Sequence, residues 1–229
     1  YSGFSASNYL EQPYNSDLDF GTGDFSIMGW VKTTSTLNEV ILWREDTSET
    51  GARFAVDTTS SQIRVIVESS TLLSGETVNS GAWVFFTFTR SSGTGRIYIN
   101  GTSSASATMS ADVDNSSAVL RVGLRANGTV DGDGLDGLAL LRISATAPTA
   151  SQIRKIYEDE KVLFQENAQA TLYGSSDAVT ALAHDPVTDL LHVGTSAGRS
   201  VFQGLRRVSN TTTAVGTAIS ASGSLVVEE

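Results

Sequence analysis

The chain has 229 residues, a formal net charge of −10, 17% charged and 40% hydrophobic residues, and no cysteine. This composition argues against nucleic acid as a partner, since phosphate binding needs clustered Lys and Arg, and it excludes disulfides and thiolate metal sites. The hydrophobic share excludes wholesale disorder, and because no apolar run is long enough to cross a membrane we expect no membrane insertion.

Residues 1 to about 145 predict a series of strands separated by loops rich in Ser, Thr and Gly. A glycine-rich turn leads into a strand that directs Phe25 and Ile27 to one face and Trp30 to the other, because side chains alternate along a strand. The Asn100-Gly101 pair predicts a tight hairpin turn. The predicted strands span residues 5–10, 25–32, 39–44, 54–57, 63–67, 83–90, 96–99, 119–124 and 137–144.

A single helix is predicted next, because the spacing of the apolar residues changes there from strand-like to helical. Thr149 and Gln152 have the spacing of a capping box, and Pro148 ends the last strand. We expect the helix to run to about residue 165 and to carry one apolar face, formed by Ile153, Ile156, Tyr157 and Phe164. This face either packs on the strands or serves in oligomerisation.

The region from residue 167 onward predicts several short strands with few large apolar side chains. Segments 178–184 and 190–194 are joined by a turn at 185–189, and further strands are expected near 201–202, 205–208 and 225–227. So small an apolar content cannot build a sizeable core within one chain. We therefore expect this region to associate with copies of itself.

The order of motifs resembles the laminin-G-like branch of the concanavalin A-like jelly rolls over about residues 1–165. The motifs are Leu18-Asp-Phe-Gly-Thr-Gly-Asp-Phe25, Gly29-Trp-Val-Lys32, Gly81-Ala-Trp-Val-Phe-Phe86, Arg96-Ile-Tyr-Ile-Asn-Gly101 and Gly134-Leu-Asp-Gly-Leu-Ala-Leu-Leu-Arg-Ile143. The resemblance implies a mainly β protein with an antiparallel β-sandwich that presents carbohydrate or protein ligands at its loops or concave sheet. The expected organisation is a jelly roll at 1–147, a helix at 148–166 and a small β-rich oligomerisation region at 167–229.

The succession of jelly roll, helix and short β-rich tail also resembles bacteriophage tail or fibre proteins, in which three chains commonly intertwine. Residues 178–202 are similar to part of one β-propeller blade, but a single blade cannot close a ring. The resemblance implies a homotrimer located on the virion, in a tail or fibre; an extracellular location is the alternative. The chain opens at Tyr1 rather than at methionine, so we expect a fragment or a processed product.

One loop, residues 127–136, concentrates carboxylates and glycines and is the candidate metal site. Calcium prefers several hard oxygen ligands on a bendable loop, and Asp131 and Asp133 are the candidate calcium ligands. Modules of the laminin-G-like type often bind calcium at the rim of the sandwich. The alternative is a solvated turn in which Asp136 simply opens the next strand.

No arrangement of residues predicts catalysis, so we expect that the chain is not an enzyme. Glucanases of the superfamily place catalytic Glu and Asp at alternate positions of one strand, and no such pattern lies on a predicted strand here. His184 is followed by Asp185, but Gly194-Thr-Ser-Ala-Gly198 lies between two predicted strands and not at a strand-to-helix turn, so no nucleophile elbow is predicted for a serine. His184 and His192 are therefore expected to be structural.

The candidate ligand-binding residues are one tryptophan and nearby polar side chains: Trp43, Arg44, Arg125 and Asn127. Trp30 and Trp83 occupy core positions of the family, whereas Trp43 has no such assignment and is free to stack on a sugar ring. These observations favour a non-enzymatic recognition module of a phage tail or fibre that binds host-surface carbohydrate or protein. The alternatives are a secreted adhesion domain with calcium-dependent binding and a purely structural virion protein.

Overall fold

The computed structural model describes residues 1–129, 132–165, 172, 174 and 178–229. These residues form two compact units, Tyr1–Glu158 and Asp159–Glu229. Antiparallel strands dominate both units, which confirms the predicted mainly β class with a single α-helix. Within the described ranges, no helix has the length and apolarity needed to span a membrane.

Two stacked antiparallel sheets form the first unit, so the predicted β-sandwich is confirmed. The six-stranded sheet contains, in spatial order, β1 (Leu10–Gln12), β10 (Val119–Val122), β3 (Glu39–Glu45), β4 (Phe54–Thr59), β5 (Gln62–Val67) and β6 (Ser70–Thr77). The five-stranded sheet contains, in spatial order, β11 (Leu135–Ser144), β2 (Phe25–Thr33), β7 (Val84–Ser91), β8 (Thr94–Ile99) and β9 (Thr102–Thr108).

The core lies between the two sheets, and β2 supplies it with the residues that alternation predicted. Phe25 and Ile27 are fully buried in the main hydrophobic cluster. The ring of Phe25 stacks on that of Phe20 at 4.9 Å and lies 5.3 Å from that of Phe54, which belongs to the opposing sheet. This aromatic contact across the sandwich joins the two sheets at one end of the core.

The helix α1 (Ala150–Glu160) begins with the predicted capping box and covers part of the five-stranded sheet. The Thr149 N–H donates to Gln152 Oε1 at 2.8 Å, and the Gln152 N–H donates to Thr149 Oγ1 at 3.3 Å. Tyr157 stacks on Trp30, with ring centroids 5.8 Å apart. Of the two roles expected for the apolar face of the helix, the one seen in the structure is packing on the strands.

Two strands of the sandwich differ from the sequence prediction. A strand was expected at residues 5–10, but Ser5 and Asn8 close a turn through backbone hydrogen bonds of 3.0 and 3.1 Å, and β1 begins only at Leu10. Small polar residues hydrogen-bond locally and favour turns over extended backbone. Strand β6 was not predicted. Leu72 is the only large apolar side chain that is buried in it, so the strand shows no alternation of apolar and polar residues.

The second unit contains a four-stranded antiparallel sheet and a hairpin. Its strands are β12 (Val179–Asp185), β13 (Leu190–Thr195), β14 (Gly198–Gln203) and β15 (Arg206–Thr211), followed by the pair β16 (Ile219–Ser222) and β17 (Leu225–Glu228). One apolar cluster of this unit has Ala181, Val215 and Ile219 as its buried part, and Val193, Val201 and Phe202 are also buried.

Asp185 connects the hairpin to the sheet in this second unit. Its buried carboxylate accepts backbone N–H groups from Ser224 at 2.8 Å, and from Val187 and Gly223 at 3.0 Å each. These hydrogen bonds, the one from Ser224 foremost, hold the pKa of Asp185 well below its ordinary value. The ionised carboxylate thus joins the turn after β12 to the turn between β16 and β17.

Candidate ligand-binding face

The outer side of the six-stranded sheet carries a group of charged side chains around Trp43. Trp43 and Glu45 point away from the main core because they alternate along β3 with Leu42 and Arg44. Trp43 belongs to a separate apolar cluster on this outer side, with Val40, Ala55, Ile66 and Ala126. We call the surrounding surface the charged face; it consists of Glu11, Glu45, Glu49, Arg53, Asp57, Arg64, Glu68, Arg121 and Arg125.

Ion pairs fix the orientation of most of these side chains. Arg64 of β5 makes two hydrogen bonds to Asp57 of β4, one of them from Nε to Oδ1 at 2.8 Å. The register pairs Asp57 directly with Arg64, so the two side chains meet across the hairpin. Arg125 forms a similar two-bond pair with Glu49, with Nη2 donating to Oε2 at 2.7 Å. Paired guanidinium and carboxylate groups of this kind have a defined geometry.

The loop after β10 is held over the sheet by Arg121. Nη1 of Arg121 donates to the carbonyl oxygens of Arg125 and Ala126 at 3.1 and 2.6 Å, while its Nε donates to Glu11 at 2.7 Å. As a result the Arg125 guanidinium lies 4.6 Å from the centre of the Trp43 ring, a cation–π contact. The structure therefore brings together two of the predicted ligand-binding residues, Trp43 and Arg125.

Trp43 is nevertheless only 2% exposed, so it is not the open aromatic platform that the sequence suggested. Its Nε1 donates to Glu45 Oε2 at 2.8 Å, and Arg125 covers its ring. A sugar could stack on this ring only after Arg125 had moved aside. Asn127 is exposed in the same loop, where its Oδ1 accepts the Thr129 N–H at 3.0 Å.

Arg44, the fourth predicted ligand residue, points to the opposite side of β3 and is fully buried. It pairs with Asp19, and its Nη1 donates to the Val113 carbonyl at 2.9 Å. These contacts hold the loops at one end of the sandwich. Arg44 therefore has a structural position here, away from the charged face.

Two carboxylates of the charged face are buried, and burial raises the pKa of both Glu45 and Asp57. The register pairs Trp43 with Ala55, so Glu45 and Asp57 lie two residues away from this pair in opposite directions. The strand rise then separates their Cα atoms by about 13 Å along the strand direction. Both carboxylates are almost fully buried and each is engaged by an arginine, Arg53 for Glu45 and Arg64 for Asp57, so neither is presented to a glycosidic bond.

The described part of the candidate calcium loop offers few ligands. Asp131 lies outside the described residues, and Asp133 is exposed. Glu39, at the base of the loop, already accepts the Gly134 N–H at 2.9 Å and the Ser35 hydroxyl at 2.6 Å. Over the residues that the structure describes, no group of three or more His, Asp or Glu side chains could hold a metal ion. Calcium binding stays a prediction.

Sequence reasoning missed Glu45, Arg53, Asp57 and Arg64, although part of the signal was present. Asp57 and Arg64 are single charged residues within two apolar segments, and each lies three to four residues from the turn at Ser60 and Ser61. Two such residues face each other across a hairpin and form a pair on one side of the sheet. The break between the two strands was predicted, but not the exact turn residues, which fix the register that pairs Asp57 with Arg64.

A family model with the description concanavalin A-like lectin/glucanases superfamily matches residues 4–154. No curated protein sequence matches the chain. Solved structures with a similar fold include the native heptameric SAP-like pentraxin from Limulus polyphemus, with a TM-score of 0.51 and 13% identity, covering 68% of this chain and 80% of that chain.

Two further solved structures are similar to most of the chain. The botulinum neurotoxin serotype D binding domain has a TM-score of 0.56 and 16% identity, and the match covers 87% of this chain but 52% of that chain. The CBM40 of the Ruminococcus gnavus IT-sialidase has a TM-score of 0.51 and 11% identity, covering 66% of this chain and 97% of that chain. Identities this low establish similarity of fold alone.

Proposed function

Because the chain belongs to the concanavalin A-like lectin/glucanases superfamily, we propose that its sandwich is a non-enzymatic module that binds carbohydrate on a host surface. The observation that carries this proposal is the charged face, where guanidinium and carboxylate groups are held in fixed positions around Trp43. Sugar hydroxyls both donate and accept hydrogen bonds, so they suit a surface that offers donors and acceptors side by side. Side chains already fixed by ion pairs lose little freedom on binding.

The burial and pairing of the acidic residues support a binding role over catalysis. Glu45 and Asp57 each interact with an arginine, Arg53 and Arg64 respectively, and both are almost fully buried. A general acid or base must reach the glycosidic bond, and these two carboxylates are covered. We therefore expect the purified chain to bind a polysaccharide without cleaving it.

Removing the half-buried Arg125 and the exposed Asn127 from the loop over Trp43 should weaken glycan binding. We expect Arg125→Ala combined with Asn127→Ala to reduce the affinity for a glycan identified on an array at least tenfold, equivalent to about 1.4 kcal/mol. Isothermal titration calorimetry measures this loss. Arg96→Ala is the matched control, because Arg96 lies on β8 of the other sheet.

Three outcomes would contradict this assignment of the site. One is a wild-type chain that binds no glycan on a broad array. Another is a loss of affinity that is equally large in Arg96→Ala. The third is affinity that depends on calcium and falls in Asp133→Ala, which would support the calcium-dependent adhesion domain instead.

The setting that we propose for this module is a bacteriophage tail or fibre in which three chains associate. The support is the surface of the second unit, on which many large apolar side chains are exposed. These are Val162, Leu163, Val179, Leu182, Val187, Leu191, Leu205, Val208, Leu225 and Val227. Association would bury part of this surface. Three linked sites would also raise the avidity for a surface glycan by about 10² to 10⁴.

Light scattering of the intact chain should give three times the chain mass of 24.1 kDa.

Leu182 and Leu191 lie on the same side of the sheet. Leu182 of β12 is paired with Val193 of β13, and Val193 lies on the same side of β13 as Leu191, two residues away. We expect Leu182→Glu with Leu191→Glu to dissociate the trimer, because charges would be buried without partners. Leu37→Glu, in an exposed loop of the sandwich, should leave the mass unchanged. A monomeric wild-type chain would refute the trimer. So would an assembly that still contains three chains after residues 167–229 are deleted.

A further inference from the structure

The sandwich has an apolar cleft along one side, between β10 of one sheet and β11 of the other. The cleft has a volume of about 530 Å³, and eleven of its twelve lining residues are hydrophobic or aromatic, Gln12 being the exception. Leu42, which is fully buried, lies at its inner end. Along β10, Leu120 and Val122 line the cleft, whereas Arg121 between them belongs to the charged face. The cleft is therefore separate from the proposed glycan site.

The strands that border the cleft are poorly suited to pairing with another strand. β11 has a register shift between Ala139 and Arg142, and β1 has only three residues. Leu138 already exchanges backbone hydrogen bonds of 2.8 and 2.7 Å with Tyr1. Irregular and short edges of this kind block the continuous ladder that strand addition needs. Neither an extended peptide nor the sheet edge of a second copy would match these borders.

Leu140, at the border of the cleft, has an unfavourable backbone conformation. Its φ of 48° lies in the left-handed region, where the Cβ atom of a leucine approaches its own carbonyl oxygen. Its side chain is 44% exposed and lines the cleft. Leu140 lies within the register shift of β11 between Ala139 and Arg142, and this bulge turns its side chain to the border of the cleft.

We infer that the cleft binds a small, uncharged, apolar molecule. No charged side chain occurs among the described residues that line it, and the α-amino group of Tyr1 already donates to the Leu138 carbonyl at 2.7 Å, so a charged ligand would find no side chain of opposite charge there. An engineered apolar cavity of about 150 Å³ holds benzene, so 530 Å³ suits a molecule roughly three times as large. Volumes of about 300 to 1,000 Å³ are typical of ligand pockets.

The neutral fluorescent probe N-phenyl-1-naphthylamine tests this inference on the full chain. We expect saturable binding of one probe per chain. Val122→Trp should weaken this binding at least tenfold, because the indole occupies the cleft. Leu140→Gly should weaken it several-fold by removing one wall, and because glycine adopts positive φ without strain this variant should fold normally. Leu37→Gly removes an exposed leucine that does not line the cleft and is the matched control.

Binding that does not saturate would overturn the inference, as would wild-type affinity in a folded Leu140→Gly variant. Sedimentation of the same variants tests whether a second copy of the chain occupies the cleft. If Leu140→Gly lowers the number of chains in the assembly, the cleft is a contact between copies and not a ligand site. Arg125→Ala with Asn127→Ala should bind the probe like the wild type. Failure of the glycan site and failure of the cleft are therefore distinguishable.

Discussion

Replacing Trp30 with alanine should lower the free energy of unfolding of the sandwich by about 4 kcal/mol. Trp30 is 2% exposed on the outer side of β2, and its ring centroid lies 5.2 Å from that of Phe85 and 5.8 Å from that of Tyr157. Alanine would leave a large cavity between the five-stranded sheet and α1. The loss combines the hydrophobic transfer free energy of the removed indole atoms with the van der Waals contacts that the rings of Phe85 and Tyr157 no longer make.

Urea denaturation followed by far-UV circular dichroism measures this loss, and Trp83→Ala is the matched control. Trp83 is only partly buried, directly before β7, where it contacts Gly137. Its replacement should cost roughly half as much or less, since less apolar surface is exposed to water. Equal losses for the two tryptophans would contradict the packing of α1 on Trp30.

Replacing Arg90 with methionine should destabilise the sandwich by about 3 kcal/mol. Arg90 is fully buried, and its Nε, Nη1 and Nη2 donate to the carbonyl oxygens of Gly23, Ala111 and Gly21 at 2.7, 2.7 and 2.6 Å. Its guanidinium also lies 4.7 Å from the centre of the Phe25 ring. Methionine fills a similar volume but leaves all three carbonyl groups without this donor.

Two further variants separate the hydrogen bonds from the charge of Arg90. Arg90→Lys keeps the charge but lacks the planar fork, so we expect it to lose most of the same stability in a urea titration. Arg96→Met changes a partly exposed arginine on the neighbouring strand and should cost less than about 0.5 kcal/mol. If Arg90→Lys were as stable as the wild type, the three carbonyl contacts would not be what holds the loops.

Arg90 and Arg44 together explain why the glycine-rich loop before β2 keeps its shape. Arg90 binds the carbonyl groups of Gly21 and Gly23, and Arg44 pairs with Asp19 just before them. From the sequence, Arg44 was a candidate for binding a ligand and Arg90 had no assigned role. Strand alternation places Arg44 on the side of β3 opposite to Trp43, which the grouping of these two residues as one ligand site did not take into account. The loops that meet Arg44 and Arg90 come from distant parts of the chain.

The charged face also depends on contacts between distant residues that the sequence pattern does not reveal. Alternation along β3 correctly separates Trp43 from Leu42, yet it cannot tell whether the outer side is open or covered. The cover is the loop that contains Arg125, and Arg121 fixes this loop from a neighbouring strand. The order of the strands in the sheet decides this contact, and that order is a tertiary property.

The sequence by itself determined the sandwich, most strand positions and the capped helix, because these depend on local periodicity, turn residues and the Thr149–Gln152 spacing. Tertiary structure alone decided that Arg125 covers Trp43, that Arg44 and Arg90 hold loops, and that an apolar cleft remains between β10 and β11. The physical reason is that these features join residues far apart in the chain. Their positions follow from sheet order and register, which no short stretch of sequence encodes.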